Sequence, residues 1–562
     1  MTDVSSYLRY LPPVLWRDDP PPASAGIGLG AVLRIFEKIA TGIPDGIPLV
    51  HADPRRPDRP DRTHEHPAFT DRIADLHRLF DPWTTPADFL PWLASWVALD
   101  FPTLQGEPLW DEYQRRKVTA EIARIYRLRG RKAGLNQYLD LYAVGSTQPR
   151  VCVDDGARLV SVVPRTGELA QVTALVSQGP VVIGGQVRSE GLTRPWNVTT
   201  GADGSLFVAD IGLPEDAGLT LPGRVWHLDA TGRYRTAGTP PRPVPLASGT
   251  SLKDVVAVAV RPPRDAAPET AYVLTRTGRL FAVPAPFDGV AATLVTTLSN
   301  PGKPVWMVAL AVDPATGDLL ALDRGGQKPQ DAVPSVVTVR PTPLTATRTK
   351  LSSVIEPLSL VVDPGGTLLL GDGGPQEPSG PQELSGNLWR IDRRTNPWTE
   401  TRLLPVDNPL IAPTALAQTR DGTRYVLDAG LKPFEISATN PFICPVADHA
   451  AVFTVDLGAT PPVLMRITGP GELVYPTGMA ATADRLVISD PGQPPLRGLE
   501  TYWNRARPFH FDVSVHFTES RLPPDGDPAR KRELDKAVGN ITTIVTEQKP
   551  AHTVWTLNTS IL

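Results

Sequence analysis

Apolar positions in the first 145 residues recur at helical spacing. Leu29, Val32, Leu33, Phe36 and Ile39 share one face and predict an amphipathic helix. Ile73, Leu76, Leu79 and Phe80 repeat the pattern, with Thr70 placed to cap its N-terminus. Phe89, Leu90, Leu93, Trp96 and Val97 follow Thr85-Pro86-Ala87-Asp88, a run suited to a helix start. A longer helix is predicted from Trp110 to Arg129, ended by Gly130, and a last one from Ala133 to Tyr142. Five of the 12 tryptophans precede residue 111, so this region has anchors for a core of its own. His51 to Pro67, rich in Arg, Asp and Pro, reads as a polar loop.

From residue 150 to 500 the helical period disappears. Short apolar runs alternate with Gly, Pro and Asp, and the runs repeat. One unit reads Pro195-Trp196-Asn197-Val198, Asp203-Gly204, then Leu206 to Asp210. Others place their second strand at Tyr272–Thr275, Leu319–Asp323, Leu368–Asp372, Tyr425–Asp428 and Leu486–Asp490. Outer strands follow at Gly223-Arg224-Val225-Trp226, Gly278-Arg279-Leu280-Phe281 and Gly386-Asn387-Leu388-Trp389. About four strands per unit, six times over, predict a six-bladed β-propeller. The sixth unit has no outer hairpin before residue 500, while residues 156–176 carry that pattern unclaimed. They are expected to complete the last blade and bring residues 155 and 500 together.

Residues 505–562 change character again. Phe509, Phe511, Val513, Val515 and Phe517 alternate with polar residues and predict a half-buried strand that folds onto its own domain. Leu534, Val538, Ile541 and Ile544 predict a helix, and Val554, Trp555 and Leu557 a final strand. This is too little for an independent core, so it needs the helical region and the Arg150–Val153 segment. The expected fold class is multidomain: a discontinuous, mainly α (α+β) base domain, 1–150 and 505–562, with a six-bladed all-β propeller inserted at 156–503.

Composition adds limits. Proline is 62 of 562 residues, which suits many short strands and turns. Lys and Arg number 56 against 60 Asp and Glu, a net charge of −4, which excludes a globally basic nucleic-acid binder. Two cysteines far apart, Cys152 and Cys444, support neither a disulfide framework nor a zinc cluster. With no signal peptide and no apolar run of membrane-crossing length, synthesis and assembly in the cytoplasm are expected, without direct membrane insertion.

Candidate chemistry is sparse. Gly26-Ile27-Gly28-Leu29-Gly30-Ala31 fits a dinucleotide fingerprint, but a proline run precedes it where a strand is required. Asp210, Asp323, Asp372, Asp428 and Asp490 end equivalent strands. Such carboxylates serve either a metal site or, as repeats favour, strand-end turns. No catalytic residue, metal ligand or cofactor-binding residue is assigned. Arg115, Arg116, Lys117, Arg124, Arg127, Arg129 and Arg131 form a dense basic stretch, read as either a contact for an acidic partner or a solvated face.

The flanks resemble the phage tail protein I family, baseplate wedge proteins of contractile phage tails, and its relatives in phage-tail-like contractile injection systems. The likeness lies in Tyr7-Leu8-Arg9-Tyr10-Leu11-Pro12, Leu33 to Ile39, His77-Arg78-Leu79-Phe80-Asp81-Pro82 and Phe89-Leu90-Pro91-Trp92-Leu93-Ala94-Ser95-Trp96. It continues in Trp110 to Arg116 and Tyr126-Arg127-Leu128-Arg129-Gly130 with Gly134-Leu135. It resumes at Pro508 to Phe511 and Lys549-Pro550-Ala551-His552-Thr553. Trp92, Trp96, Gly130, Pro550 and His552 are its structural markers, with His552 expected to fix the turn into the last strand. The block between the flanks departs from the family and is only loosely like NHL-type propellers. The resemblance implies a non-enzymatic structural role in a baseplate, several copies per particle, and wedge, hub and sheath-proximal proteins as partners. Tail fibres are a further candidate partner, and nucleic acid is not one. The particle itself would be released or membrane-attached. Two alternatives stay open: a propeller hydrolase or lactonase, and a carbohydrate-binding propeller on the particle.

Overall fold

Helices occupy the start of the chain and short antiparallel strands most of the rest. The computed structural model describes residues 5–16, 28–41, 69–142 and 149–561. Short breaks interrupt the last two ranges, the longest at 213–222, 245–253, 375–385, 431–447 and 493–509. The loop at 51–67, the start of the glycine motif at 26–31, Cys444 and the boundary expected at 503–505 lie outside the described residues. Two compact units are present, Met1–Arg124 and Ile125–Leu562.

In the first unit, α1 spans Leu29–Thr41. The single helix expected around residues 73–80 is instead α2, Phe69–Ala74, followed by a 3-10 turn, Asp75–Phe80. Asp81 stops it, held extended (φ −91°, ψ 116°) in front of Pro82. Thr70 does not cap the helix; it lies inside α2 and its hydroxyl donates to the Ala40 carbonyl at the end of α1. A 3-10 turn, Ala87–Phe89, runs into α3, Leu90–Ser95. Helix α4, Glu112–Tyr126, is shorter at both ends than the periodicity predicts.

In the second unit, α5 spans Lys132–Tyr142 and β1 Arg150–Asp154. The C-terminus supplies β2, His510–Phe517, α6, Pro528–Gln548, and β3, Val554–Ile561. Asp527 caps α6 by accepting from the Ala529 amide, ahead of Pro528 at the first helical position. Strand β2 is central, antiparallel to β1 and parallel to β3, with α6 as the crossover. The half-buried strand expected there is in fact buried on both faces: Asp512, Ser514 and His516 are as covered as Val513, Val515 and Phe517. The reason is a second covering layer. Helix α5 packs on α6 and on β1. On the polar face, Arg150 stands beside His516 and donates to the carbonyls of Ala429 and Val474.

Among the described residues, 158–490 build six antiparallel sheets of three or four strands and a two-stranded pair, Val181–Ile183 with Gln186–Arg188. The first has three strands, Pro195–Thr200, Leu206–Asp210 and Arg224–Leu228. The next four each have four consecutive strands, starting at Val255, Met307, Pro357 and Pro413. The sixth joins Gly478–Ala481 and Leu486–Asp490 to Arg158–Arg165 and Glu168–Ser177. The first strands of successive sheets are neighbours, and Gly478–Ala481 of the sixth neighbours Pro195–Thr200 of the first. Apolar clusters fill the spaces between adjacent sheets. This region is propeller-like and all β.

Candidate functional site

The five strand-end aspartates share one geometry. Each is buried, and each carboxylate accepts backbone N–H groups from the segment leading into the first strand of its own sheet. Asp210 takes Thr193 and Arg194, Asp372 takes Ile355 and Glu356, and Asp428 takes Ile411 and Ala412. Asp490 takes Val474 and Tyr475, and Asp323 takes Trp306. Each also accepts the amide two residues on, from Gly212, Gly325, Gly374, Gly430 or Gly492. These glycines all have positive φ. The sequence signal was therefore Asp-x-Gly, five times, and reading the aspartates alone missed its second half. In the second sheet Thr275 replaces the aspartate, and its hydroxyl accepts from the Arg279 amide.

A variable side-chain partner completes four of the five. Trp226 and Trp389 donate their indole N–H to Asp210 and Asp372. Arg348 pairs with Asp323, and Arg158 with Asp490. Burial pushes the Asp428 carboxyl above the ordinary range. Burial acts the same way on Asp490, but the nearby Arg158 and Lys132 charges outweigh it and hold it below. The carboxylates are thus committed to backbone donors rather than turned to a common centre. A further apolar cluster gathers residues near the starts of the first strands. Ile411, Ala412, Ala429 and Tyr475 are buried there, with Trp196 and Leu358 against them. The Arg276 guanidinium lies over the Trp306 and Trp196 rings, 4.5 and 5.7 Å from their centroids.

Several cations of the basic stretch are engaged within their own unit. Arg115 donates to the Trp110 carbonyl, and Arg116 to Glu112 and the carbonyls of Pro82 and Thr85. Arg124 pairs with Glu121. In the second unit, Arg129 donates to the Glu547 carbonyl at the end of α6. Arg127 and Arg131 are exposed, and Lys117 is half-buried. Gly130 has φ +77°, and a Cβ there would meet Pro550 at 3.9 Å, so these two family markers are neighbours. In the turn into β3 the Thr553 amide and hydroxyl donate to Pro550, and Lys549 donates to Thr553. His552 is exposed.

The largest departure from expectation is in the first unit. Helix α1 buries its polar side. Glu37 is 6% exposed and accepts from the hydroxyls of Ser5 and Ser6, while Ile35 and Phe36 are 52% and 59% exposed. The tryptophans expected as core anchors divide: Trp110 is 2% exposed, but Trp92 is 40% and Trp96 60% exposed. Phe80, Phe89, Trp92 and Trp96 form a continuous aromatic cluster, with Trp92 and Trp96 centroids 4.4 Å apart. Ile73 and Leu76 are exposed on the preceding turns. A monomer rarely exposes more than a few hundred Å² of contiguous apolar surface. Apolar spacing predicted the face, but could not say whether its cover comes from this chain or another.

Residues 59–148 match the family described as phage tail protein (Tail_P2_I), and the aromatic cluster falls within them. No curated protein matches the chain. Among solved structures, it is similar to a structural-genomics protein of unknown function from Bacteroides thetaiotaomicron, at 11% identity and TM-score 0.34. That alignment covers 59% of this chain and 90% of the other. It is also similar to a structure described as a candidate gluconolactonase, at 14% identity and TM-score 0.32, over 57% of this chain and 96% of the other.

Proposed function

We propose that this chain is a structural baseplate component of a contractile phage-tail-like particle. Its split base domain assembles with other tail subunits. Its inserted six-bladed propeller, closed through residues 158–177, presents a docking surface to fibres, neighbours or a target-cell ligand. The observation that carries this reading is the exposed aromatic cluster inside the segment that matches the phage tail family. Aromatic side chains at an interface supply large apolar area, and several weak contacts per particle add up to strong retention. The apolar cluster of Ile411, Ala412, Ala429 and Tyr475, with Trp196 and Leu358 against it, supports a scaffold over an enzyme, because a hydrolase site needs convergent polar groups and this cluster has none. The five aspartates, held by backbone amides, offer no asymmetric set for catalysis.

The test uses particles purified from producing cells, with the chain carrying Trp92→Asp and Trp96→Asp together. The altered chain should stay folded and soluble but be lost from the particle. Undiminished incorporation, or imaging that finds the chain absent from the baseplate, would sink the proposal.

A further inference from the structure

Arg150 is 3% exposed, a cost that a cation bears only when its donors are used. Its Nη2 is used twice, reaching the carbonyl of Val474 at 2.7 Å and that of Ala429 at 3.2 Å. Its Nε and Nη1 have no hydrogen-bond partner among the described residues. Two neighbours share the condition: Nδ1 of His449 and Nη2 of Arg466 are buried nitrogens without partners.

Hydrogen bonds bring the segments that carry the three side chains together. Ala429, held by Arg150, precedes Gly430, whose carbonyl accepts from the Asp448 amide. The next residue is His449, whose own amide donates to the Asp448 carboxylate at 2.6 Å. Three residues on, the Val452 amide donates to the Thr468 hydroxyl, and the Thr468 carbonyl accepts from Nε of Arg466. The His449 ring feels both guanidinium charges; burial first, then Arg150, hold its pKa down to about 4, with Asp448 opposing. Glu472, which faces Arg466, is engaged by the Gly469 amide. Arg150 is deep, while His449 and Arg466 are half-buried, so the partnerless nitrogens span from the interior toward the surface.

We propose that Arg150, His449 and Arg466 form a binding site for a small oxyanion. Planar guanidinium N–H groups match the oxygens of a carboxylate or a phosphate, and charge-assisted bonds in a covered site are the strong ones. The site lies between strand β1 and the fifth sheet, where His449 leads into the third strand, Ala451–Asp456, and Arg466 ends the fourth, Val463–Arg466. An anion there would tie the base strand to the sheets, independently of the assembly surface in the first unit.

The experiment is isothermal titration of inorganic phosphate, acetate and chloride, at matched ionic strength, into the full chain. Phosphate or acetate should give saturable heat for about one site, and chloride should not. Arg466→Gln and His449→Gln should each weaken binding by about tenfold or more. Arg485→Gln, at the exposed Asp484 pair, should leave it unchanged. Absence of saturable binding, equal heat with chloride, or full binding by both variants would overturn the site. Because Arg150→Gln removes two structural hydrogen bonds as well, the decision rests on the other two variants.

Discussion

Arg158 reaches Asp490 across 332 residues of sequence, with Nη2 3.1 Å from the carboxylate and both side chains buried. Asp155 extends the link, 3.8 Å from Arg158 and 2.5 Å from Lys132 at the start of α5. One chain of charges thus joins the strand that enters the sixth sheet, the strand that leaves it, and the helix beneath.

Breaking that pair on one side should be severe. Arg158→Met leaves Asp490 buried without its cation, a loss of about 3–5 kcal/mol. The sign with pH follows from the lowered carboxyl. Asp490 contributes fully above its unfolded value of about 3.9 and less as pH falls through its lower folded value. Without Arg158 the largest opposing charge is gone, Lys132 and the backbone donors remain, and the carboxyl rises. The acid-unfolding midpoint of the variant, followed by circular dichroism, should therefore move to higher pH.

Buried histidines set an earlier acid limb. Burial, with Arg150 beside it, holds His516 down to about 3, and His449 is held down to about 4. Both are neutral in the fold and gain protons when unfolded. Their contribution is complete above about 6.5 and declines as pH falls toward the folded values. From pH 7.5 to 5, His516 alone should cost about 2 kcal/mol. Urea titrations at both pH values should show this loss in the native chain and a smaller one in His516→Gln.

The aspartate turns predict local exchange. Asp428→Ala removes the acceptor for three amides, those of Ile411, Ala412 and Gly430. A loss of about 3 kcal/mol or more is expected, since each orphaned buried donor costs about 1–3 kcal/mol. Hydrogen exchange by mass spectrometry should speed up first in the peptides covering these residues. Unchanged protection there would mean that the carboxylate is not what holds them.

Glycines in the turns should divide by surroundings. Gly430 has φ +65°, and an added Cβ would lie 2.2 Å from the Asp448 carbonyl. Gly204 has φ +81° with nothing within 4 Å. Gly204→Ala should cost about 1 kcal/mol, from backbone strain alone. Gly430→Ala should cost several times as much, or prevent folding, as thermal unfolding of the two variants would show.

Helix α1 should respond against the usual rule. Ile35→Lys and Phe36→Lys together should change the stability of the isolated chain by less than about 1 kcal/mol, because both side chains face outward. Glu37→Ala should cost about 1–3 kcal/mol by stranding the Ser5 and Ser6 donors.

These contrasts mark where sequence reading succeeds. Strands such as Leu206–Asp210 and Leu368–Asp372 were legible because each is a short apolar run between turn residues, and repetition reinforced the pattern. The pairing of Leu486–Asp490 with Arg158–Arg165 was approachable for the same reason: one unit lacked strands and another segment carried them. The inverted burial of α1 was not legible. Periodicity reports that a face is apolar, and says nothing of which chain covers it. The Arg150 cluster was invisible as well, since its members are 299 and 316 residues from Arg150 in sequence (449 − 150 and 466 − 150) and join only through carbonyls that no side-chain pattern encodes. Strand β2 misled because its polar residues meet a second buried layer rather than water.

The sixth sheet also has a consequence in time. Arg158–Arg165 leaves the ribosome long before Leu486–Asp490 exists. At about 5–20 residues per second, the 332 residues between Arg158 and Asp490 take roughly 20–70 s to synthesise. For that interval Leu159, Val160 and Val162 have only their hairpin partner, Glu168–Ser177, and lack the inner strand of their sheet. A nascent chain holding so apolar a strand is a target for premature pairing with its neighbours on the same message. Correct closure therefore depends on elongation outrunning that encounter, and synonymous slow codons within this interval should lower the soluble yield without altering one residue of the finished protein.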